Sequence, residues 1–230
     1  MPVVGANDAL VQFTYNPSYL QSKELQRTIT SPKCYEDLSF SKYVIKSDII
    51  LDGGSIEVLG NVGLVSEQVF IENQSYDPER LLGQIKEKLS LEKLFLIPIE
   101  PDDILGHVDG LVRLVSPNQV VINDFNGVDG LEDFGRDLKT KLINMGFVIH
   151  EVPYSPQDEI NKDGLYPATG IYTNFLRIGR LLFMPTYNLA EDNLAYTKMS
   201  EIFTGCEVIP VDCRQVAVDG GSLHCITWEY

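Results

Sequence analysis

Cys225 is the residue of this sequence best suited to nucleophilic chemistry. It belongs to the stretch Gly220–Thr227, which reads GGSLHCIT, and the glycine pair lets a ligand or another backbone approach closely. A free thiol is only a few per cent thiolate near neutral pH, so a cysteine nucleophile needs a partner base. The stretch is predicted to be a strand, on which the neighbouring His224 faces away from Cys225. A base must then come from His107 or His150, while the alternative that Cys225 is a small buried apolar residue stays open.

A second polar stretch, Gly106–Gly110 with the sequence GHVDG, is expected to meet this cysteine. His107 and Asp109 lie two positions apart, and we place both on a predicted strand over residues 107–115. Side chains two apart on a strand project to the same face. An imidazole and a carboxylate beside a thiol are the groups of a site for acid–base and nucleophilic catalysis. His150 is instead interpreted as a structural or surface histidine.

The overall composition limits the classes of function that fit. With 230 residues, 44% of them hydrophobic, the chain can bury a sizeable core. The formal net charge of -15 disfavours nucleic acid, whose phosphates it would repel, and either attracts cationic ligands or serves solubility. The sequence shows no apolar run of about twenty residues and no recognisable signal peptide, so we expect no membrane association.

The cysteines and histidines do not form a metal-binding pattern. The sequence contains four cysteines and three histidines, with no Cys-x-x-Cys pair and no spacing typical of zinc ligands. We therefore expect reduced thiols in a cytoplasmic protein that binds no metal. The four cysteines are Cys34, Cys206, Cys213 and Cys225.

A strand–strand–helix–strand unit recurs along the chain with a period of about 50 to 65 residues. Its strands are predicted at 55–59, 63–71, 94–99, 107–115, 119–125, 147–152, 171–178, 180–185 and 206–211, and its helices from Pro78 and at 131–145 and 190–203. A further unit begins at Gly220. Such repetition favours an α/β propeller within a single domain, residues 1–230, because each unit buries its face against the next. The equivalent strand ends would converge on one axis and gather Ser55, Asp109, Asn174 and Cys225.

Four stretches of the chain resemble agmatine deiminase and the bacterial, Porphyromonas-type peptidyl-arginine deiminases among the guanidine-modifying enzymes. The stretches are 51–58 (LDGGSIEV), 106–110 (GHVDG), 172–175 (YTNF) and 220–227 (GGSLHCIT). The resemblance implies the pentein fold, a pseudo-fivefold propeller of ββαβ units. It also implies that Cys225 is the nucleophile, His107 the general acid/base and Asp109 a carboxylate that holds the guanidinium. Asp52 stands where relatives usually have a glutamate that orients the histidine.

Two further expectations concern residues that the repeat and the resemblance single out. Asn174 is interpreted as a polar residue lining the axis, with a turn or backbone hydrogen bond as the alternative. Relatives carry an Arg-Asp pair shortly before a proline, and this chain starts at Met1-Pro2. We therefore expect the propeller to be incomplete at the N-terminus and to lack a second guanidinium-binding carboxylate, which predicts a weak or silent deiminase.

The reaction implied by the resemblance converts a guanidino group into a ureido group and ammonia through a covalent amidino-thioether on Cys225. The expected ligand is a cationic guanidino compound such as agmatine or arginine, or an arginine-containing peptide, and no cofactor is implied. Two alternatives stay open: an inactive propeller that serves as a binding or structural module, and an amidinotransferase that delivers the amidino group to an amine. Assembly into a homo-oligomer is also left open.

Overall fold

The structure, a computed structural model, describes residues 3–7, 10–29, 44–157, 160–161 and 164–228. Cys34 and the Met1-Pro2 start, which entered the sequence predictions, lie outside these residues. The chain divides into two compact units. Unit 1 comprises Met1–Val108 and Trp228–Tyr230, and unit 2 comprises Asp109–Thr227.

The described residues of unit 1 form two three-stranded sheets, with strand orders β1-β2-β3 and β4-β5-β6. Its strands are β1 (Val3–Val4), β2 (Leu10–Thr14), β3 (Val44–Ile50), β4 (Ile56–Leu59), β5 (Val62–Ser66) and β6 (Lys93–Ile97), and its α-helices are α1 (Gln68–Glu72) and α2 (Pro78–Lys88). Two short 3-10 helices, Ser18–Leu20 and Leu25–Thr28, follow β2.

Helix α2 shows how the sequence sets an element of this unit. Asp77 caps its N-terminus by accepting a hydrogen bond from the Arg80 N–H at 2.9 Å, and Pro78 occupies the first turn, where its missing N–H costs no hydrogen bond. The buried residues Leu81, Ile85 and Leu89 repeat at helical spacing and pack into the core of unit 1. The helix predicted from Pro78 is thereby confirmed.

Unit 2 also contains two three-stranded sheets, with strand orders β7-β8-β9 and β10-β11-β12. Its strands are β7 (Val112–Ser116), β8 (Gln119–Asn123), β9 (Val148–Val152), β10 (Leu176–Ile178), β11 (Leu181–Thr186) and β12 (Glu207–Asp212), and its helices are α3 (Glu132–Asn144), α4 (Asp192–Ile202) and α5 (Arg214–Ala217). Gly146 follows α3 with a φ of 91°, a left-handed conformation that glycine adopts readily and that commonly ends a helix.

One topology recurs in the sheets of both units. In each of the sheets that begin with β4, β7 and β10, the first two strands are antiparallel and the third is parallel to the second. A parallel neighbour needs a crossover connection, and α2, α3 and α4 provide it. The predicted strand–strand–helix–strand repeat is therefore confirmed in these three sheets.

Three predicted strands were too long. The strand predicted at 63–71 ends at Ser66, and Gln68–Glu72 form helix α1 instead. Strand β7 begins at Val112 rather than at His107, and β10 begins at Leu176 rather than at Ile171. The preceding residues form turns and loops, because their backbone groups bond locally: the Asn174 N–H, for example, donates to the Ile171 carbonyl at 3.5 Å. The polar ends of the repeats therefore lie in loops. In the part of the chain that the structure describes, no helix is both long and apolar enough to cross a membrane.

Candidate active site

Cys225 lies in a turn and not on a strand, so the predicted strand over 220–227 is wrong. The turn covers residues 223–226. The Ile226 N–H donates to the Ser222 carbonyl at 3.3 Å, and the Thr227 hydroxyl donates to the Leu223 carbonyl at 2.9 Å. The Gly221 backbone lies close to Cys225, since a Cβ at Gly221 would be 3.0 Å from the Cys225 Cβ. The glycine that looked like the start of a strand instead permits this tight turn.

The turn brings Cys225 and His224 to the same carboxylate. Oδ2 of Asp109 lies 2.7 Å from Nδ1 of His224 and 3.8 Å from Sγ of Cys225. The prediction that His224 faces away from Cys225 was based on strand alternation and is wrong, because successive residues of a turn need not point in opposite directions. Asp109 is 2% exposed, so His224 is a hydrogen-bonding partner for a nearly buried acceptor.

Asn174 holds both the backbone and the sulfur of the cysteine turn. Its Oδ1 accepts hydrogen bonds from the N–H groups of His224 at 3.1 Å and Cys225 at 3.4 Å, and its Nδ2 donates to Sγ at 3.3 Å. The buried Arg113 guanidinium donates to the carbonyls of Thr173 and Phe175, at 3.1 and 2.7 Å, and so fixes the backbone on both sides of Asn174. Asn174 was predicted either to line the axis or to make a turn or backbone hydrogen bond. Its bonds to the N–H groups of His224 and Cys225 confirm hydrogen bonding to the backbone.

The backbone next to Asp109 is fixed as well. The carbonyl of Gly110 accepts hydrogen bonds from Nδ2 of Asn123 and from the hydroxyl of Thr173, both at 2.8 Å. Asn123 and Thr173 are fully buried, and a buried polar pair that is satisfied in this way resists rearrangement. We call Asp109, Asn174, His224 and Cys225 the thiol cluster.

The surroundings of Cys225 disfavour its ionised form. Desolvation by neighbouring protein atoms, followed by the negative charge of Asp109, raises the pKa of the Cys225 thiol to about 12, although solvent reaches part of the residue. Hydrogen bonds from the Ser222 backbone and from Asn174 act in the opposite direction. The thiol is thus protonated at neutral pH unless a positive charge offsets that of Asp109.

A second group of predicted site residues lies in unit 1 around Asp52. Nε2 of His107 lies 3.0 Å from Oδ2 of Asp52, and the same oxygen accepts a hydrogen bond from the Tyr19 hydroxyl at 2.8 Å. Oδ1 of Asp52 accepts from the backbone N–H of Ser55 at 3.0 Å and from its hydroxyl at 2.5 Å. We call these four residues the imidazole cluster. Its carboxylate accepts from four donors, which matches its capacity.

These donors keep Asp52 ionised. Burial of its side chain, which is 8% exposed, would by itself raise the pKa. The charge of His107 and the hydrogen bonds from His107, Ser55 and Tyr19 outweigh burial and lower the pKa of Asp52 to about 2. Since an ionised carboxylate only accepts hydrogen bonds, Nε2 of His107 carries the hydrogen that faces Asp52.

Gly54 determines where the His107 ring lies. A Cβ at Gly54 would overlap Nδ1 of His107, and the Gly54 carbonyl accepts a hydrogen bond from the Val108 N–H at 2.8 Å. The backbone around His107 is therefore packed directly on the loop that carries Asp52. The prediction that His107 and Asp109 share one face of a strand is wrong, because both residues precede β7.

The structure thus brings the predicted site residues together in two groups. Asp52, Ser55 and His107 meet in unit 1, and Asp109, Asn174 and Cys225 meet in unit 2. His150 lies on β9 with Nε2 3.0 Å from Oε1 of Gln119, which agrees with its structural interpretation. Sequence reasoning missed His224, although it lies inside a quoted motif, and missed Tyr19, which no motif marks.

The whole sequence, residues 1–230, matches the family model of the Porphyromonas-type peptidyl-arginine deiminases. The chain therefore belongs to this family, and the resemblance of its motifs is confirmed. The agmatine deiminase of Pseudomonas aeruginosa is 26% identical over 215 residues, which cover 79% of this chain and 57% of that protein.

Solved structures of agmatine deiminases share the α/β fold. That of C. jejuni agmatine deiminase has 26% sequence identity and a TM-score of 0.74, and the match covers 94% of this chain and 65% of that one. A cysteine-to-serine variant of C. jejuni agmatine deiminase with substrate bound has 25% identity and a TM-score of 0.75, with 94% and 66% coverage. The chain spans less than two thirds of the length of these relatives.

Proposed function

We propose that the chain hydrolyses the guanidino group of agmatine, of arginine or of an arginine-containing peptide to a ureido group and ammonia. The thiolate of Cys225 attacks the central guanidinium carbon, and a terminal amino group of the guanidinium leaves as ammonia. Water then attacks the amidino-thioether, which releases the ureido product and the thiol. His107 protonates the departing amine and later takes a proton from the attacking water. Asp52 orients His107, Asp109 binds the guanidinium, and Asn174 holds Cys225.

The observation that carries this proposal is the carboxylate of Asp109, 3.8 Å from the sulfur of Cys225. A carboxylate beside a thiol opposes thiolate formation, so the pair is poorly suited to a neutral or anionic substrate. A guanidinium reverses this effect, because its positive charge pairs with Asp109 and favours the thiolate next to it. The planar cation also presents its carbon to a nucleophile that approaches from outside its plane.

The imidazole cluster supports a role for His107 as acid and base. The pKa of Asp52 at about 2 leaves this carboxylate charged at neutral pH, where it favours a proton on the imidazole. Its hydrogen bond to Nε2 fixes the orientation of the His107 ring. The joint assignment with Asp109 is supported by the sequence, since both residues belong to one Gly-His-Val-Asp-Gly motif.

The relatives support both the substrate class and the architecture of this proposal. C. jejuni agmatine deiminase binds its substrate as a cysteine-to-serine variant, which favours agmatine as the first compound to test. The family name favours peptidyl arginine as the second. We further propose that the repeated ββαβ units are blades of a propeller, because the three complete units share one strand order.

Ammonia release tests the proposal. Agmatine, free arginine and an arginine-containing peptide are each incubated with the protein, and no other amine is added. We expect ammonia and a ureido product from at least one compound, at the low rate of a weak deiminase, with loss of activity in Cys225→Ala. The matched control Cys206→Ala should keep the wild-type rate, since Cys206 is outside both clusters. Absence of ammonia with all three compounds, or its undiminished release by Cys225→Ala, would overturn the proposal. Turnover only after an acceptor amine is added would identify an amidinotransferase instead.

A further inference from the structure

Tyr19, in the 3-10 helix Ser18–Leu20, contacts both partners of the acid–base pair in unit 1. Its hydroxyl donates to Oδ2 of Asp52 at 2.8 Å. Its ring lies edge-on to the His107 imidazole, with centroids 6.2 Å apart and planes at 72°. No sequence motif marks this tyrosine, and the proposed reaction as stated above does not use it.

The oxygen that Tyr19 contacts is the one that accepts from His107. Nε2 of His107 lies 3.0 Å from the same Oδ2, so two donors share the negative charge of one oxygen. A hydroxyl that donates to a carboxylate draws electron density from it and weakens its attraction for a second donor. Tyr19 therefore reduces the preference of His107 for its protonated form.

Three contacts hold Tyr19 in this position. The backbone N–H of Ser18 donates to both carboxylate oxygens of Glu72 at 3.0 and 2.9 Å, and the Ser18 hydroxyl donates at 2.8 Å. Glu72 ends α1 and also accepts from Nε2 of Gln68 at 2.8 Å. Gln68 in turn packs on Gly106, where a φ of 61° and a Gln68 side chain 3.0 Å from the Cβ position both demand glycine. The same short helix thus anchors Tyr19 and the residue before His107.

We propose that Tyr19 is a positioning residue that competes with His107 for the charge of Asp52 and thereby sets the proton affinity of the general acid/base. The inference deepens the proposed function, because it assumes that His107 exchanges protons with the substrate. By sharing Oδ2, Tyr19 lowers the cost of deprotonating the imidazole in each cycle. The phenol itself stays protonated, since burial and the charge of Asp52 raise its pKa.

The other ionisable groups near this pair do not act on the shared oxygen in the same way. Tyr15 hydrogen-bonds with Tyr19, and burial raises its pKa, so it is also neutral at pH 7. Asp103 accepts from the backbone N–H of His107 at 3.3 Å, and Glu72 is engaged with Ser18 and Gln68. A change confined to the Tyr19 hydroxyl therefore leaves these carboxylates in place.

Histidine titration by NMR tests the inference without relying on turnover. The sequence contains three histidines, so their ring proton signals are few, and the loss of one signal in His107→Gln assigns His107. Tyr19→Phe keeps the ring next to His107 but removes the hydroxyl that donates to Oδ2 of Asp52. The carboxylate should then attract the protonated imidazole more strongly. We expect an upward shift of about 0.3 to 0.7 in the pKa of His107, with His150 and His224 unchanged.

Tyr76→Phe is the matched control, because the Tyr76 hydroxyl donates to Oδ2 of Asp48 at 2.8 Å in a pair that includes no histidine. This variant should leave the His107 titration unchanged. A second variant, with 3-fluorotyrosine placed site-specifically at position 19, makes the hydroxyl a stronger donor and should lower the pKa of His107. A His107 pKa that is unchanged or lower in Tyr19→Phe, or equally shifted in Tyr76→Phe, overturns the inference.

The pH dependence of ammonia release tests whether the effect of Tyr19 on His107 also affects the reaction. If the wild type releases ammonia, the limb of the pH profile of kcat that reports His107 should move upward in Tyr19→Phe by the same amount as the NMR titration. A lower kcat with an unmoved profile would mean that Tyr19 has a structural role alone. If the wild type releases no ammonia, the proposed function fails, while the titration still decides whether Tyr19 and His107 compete for Asp52.

Discussion

Sγ of Cys225 lies 3.8 Å from Oδ2 of Asp109, an oxygen that is also 2.7 Å from Nδ1 of His224. Desolvation and the charge of Asp109 raise the pKa of the thiol, so the protein without ligand keeps its proposed nucleophile protonated. We propose that a cationic substrate pairs with Asp109 and thereby lowers the pKa of the Cys225 thiol. Alkylating reagents of different charge can separate the effect of Asp109 on the thiol pKa from its binding of a cation.

Asp109→Asn should make Cys225 react faster with neutral iodoacetamide and more slowly with cationic chloroacetamidine. Loss of the negative charge lowers the pKa of the thiol, so alkylation by the neutral reagent at pH 7 to 8 should rise about threefold to tenfold. The cationic reagent loses its binding partner and should lose its advantage over the neutral one. Peptide mapping by mass spectrometry measures labelling at each cysteine, with Cys206 as the internal control. Parallel changes with both reagents would contradict the assignment of Asp109 as the cation-binding group.

Asn174→Asp should slow alkylation of Cys225 by iodoacetamide by about tenfold. The substitution keeps an oxygen that can accept from the His224 and Cys225 N–H groups, but it replaces the Nδ2 donor to Sγ with negative charge. The thiol pKa should therefore rise further. Asn118→Asp, which makes the same change at an exposed asparagine of unit 2, serves as the control. Equal rates in the two variants would show that Asn174 does not act on the sulfur.

Gly54→Ala should reduce kcat by about a hundredfold while Cys225 keeps its reactivity toward iodoacetamide. The added methyl group overlaps Nδ1 of His107 and displaces the ring from Asp52, but it does not touch the thiol cluster. Gly53→Ala is the matched control, since a Cβ at Gly53 meets no atom within 4 Å. Steady-state ammonia release and thiol alkylation measure the two effects separately. A loss of the same size in Gly53→Ala would mean that the loop, and not the position of the ring, limits turnover.

Asp52→Asn should destabilise the protein at pH 7, and this effect should disappear in acid. The pKa of Asp52 falls from 3.8 to about 2 in the folded protein, so the ionised carboxylate contributes about 2 kcal/mol of stability above pH 4. That contribution is lost as the pH falls from about 4 through 2, because the unfolded state takes up the proton first and the folded state only near pH 2. Urea unfolding at pH 7, 4 and 2.5 should show the difference from wild type narrowing. A difference that stays constant with pH would show that it does not arise from ionisation.

Asp212→Asn is the control for this measurement. Hydrogen bonds from Arg214 also lower the pKa of Asp212 to about 2, but the two side chains are 57% and 58% exposed. Solvent screens such a pair, and its contribution to stability is small. We therefore expect little change in the free energy of unfolding at any of the three pH values.

Periodicity in the sequence predicts the elements of this fold well where burial decides the structure. Leu138 and Leu142 on α3, like Leu81 and Ile85 on α2, are buried at the helical spacing read from the sequence. The same reasoning placed β8 and β11 within two residues of their observed ends. These elements can be predicted because their apolar faces are buried in the core of their own unit.

The structure around the site residues depends on contacts between residues that are far apart in the sequence. The sequence around Cys225 alternates like a strand, yet side chains far along the chain determine its structure: Asn174 binds the backbone of His224 and Cys225. Such contacts carry no local signal, so the alternation rule assigned His224 to the wrong side. Tyr19 was missed for the same reason, because its role depends on Glu72 holding Ser18, 54 positions away. The motif residues could be named from the sequence, but their hydrogen-bonding partners could not.

The central claim, that Cys225 forms a covalent intermediate with a guanidino substrate, is tested most directly by trapping that intermediate. The protein is mixed with agmatine, quenched in acid at short times, and examined by intact-mass and peptide mass spectrometry. We predict an adduct with the mass of agmatine minus one ammonia on the peptide that contains Cys225, and none in Cys225→Ser. Ammonia release without any adduct on Cys225, or an adduct that persists in Cys225→Ser, would contradict the account.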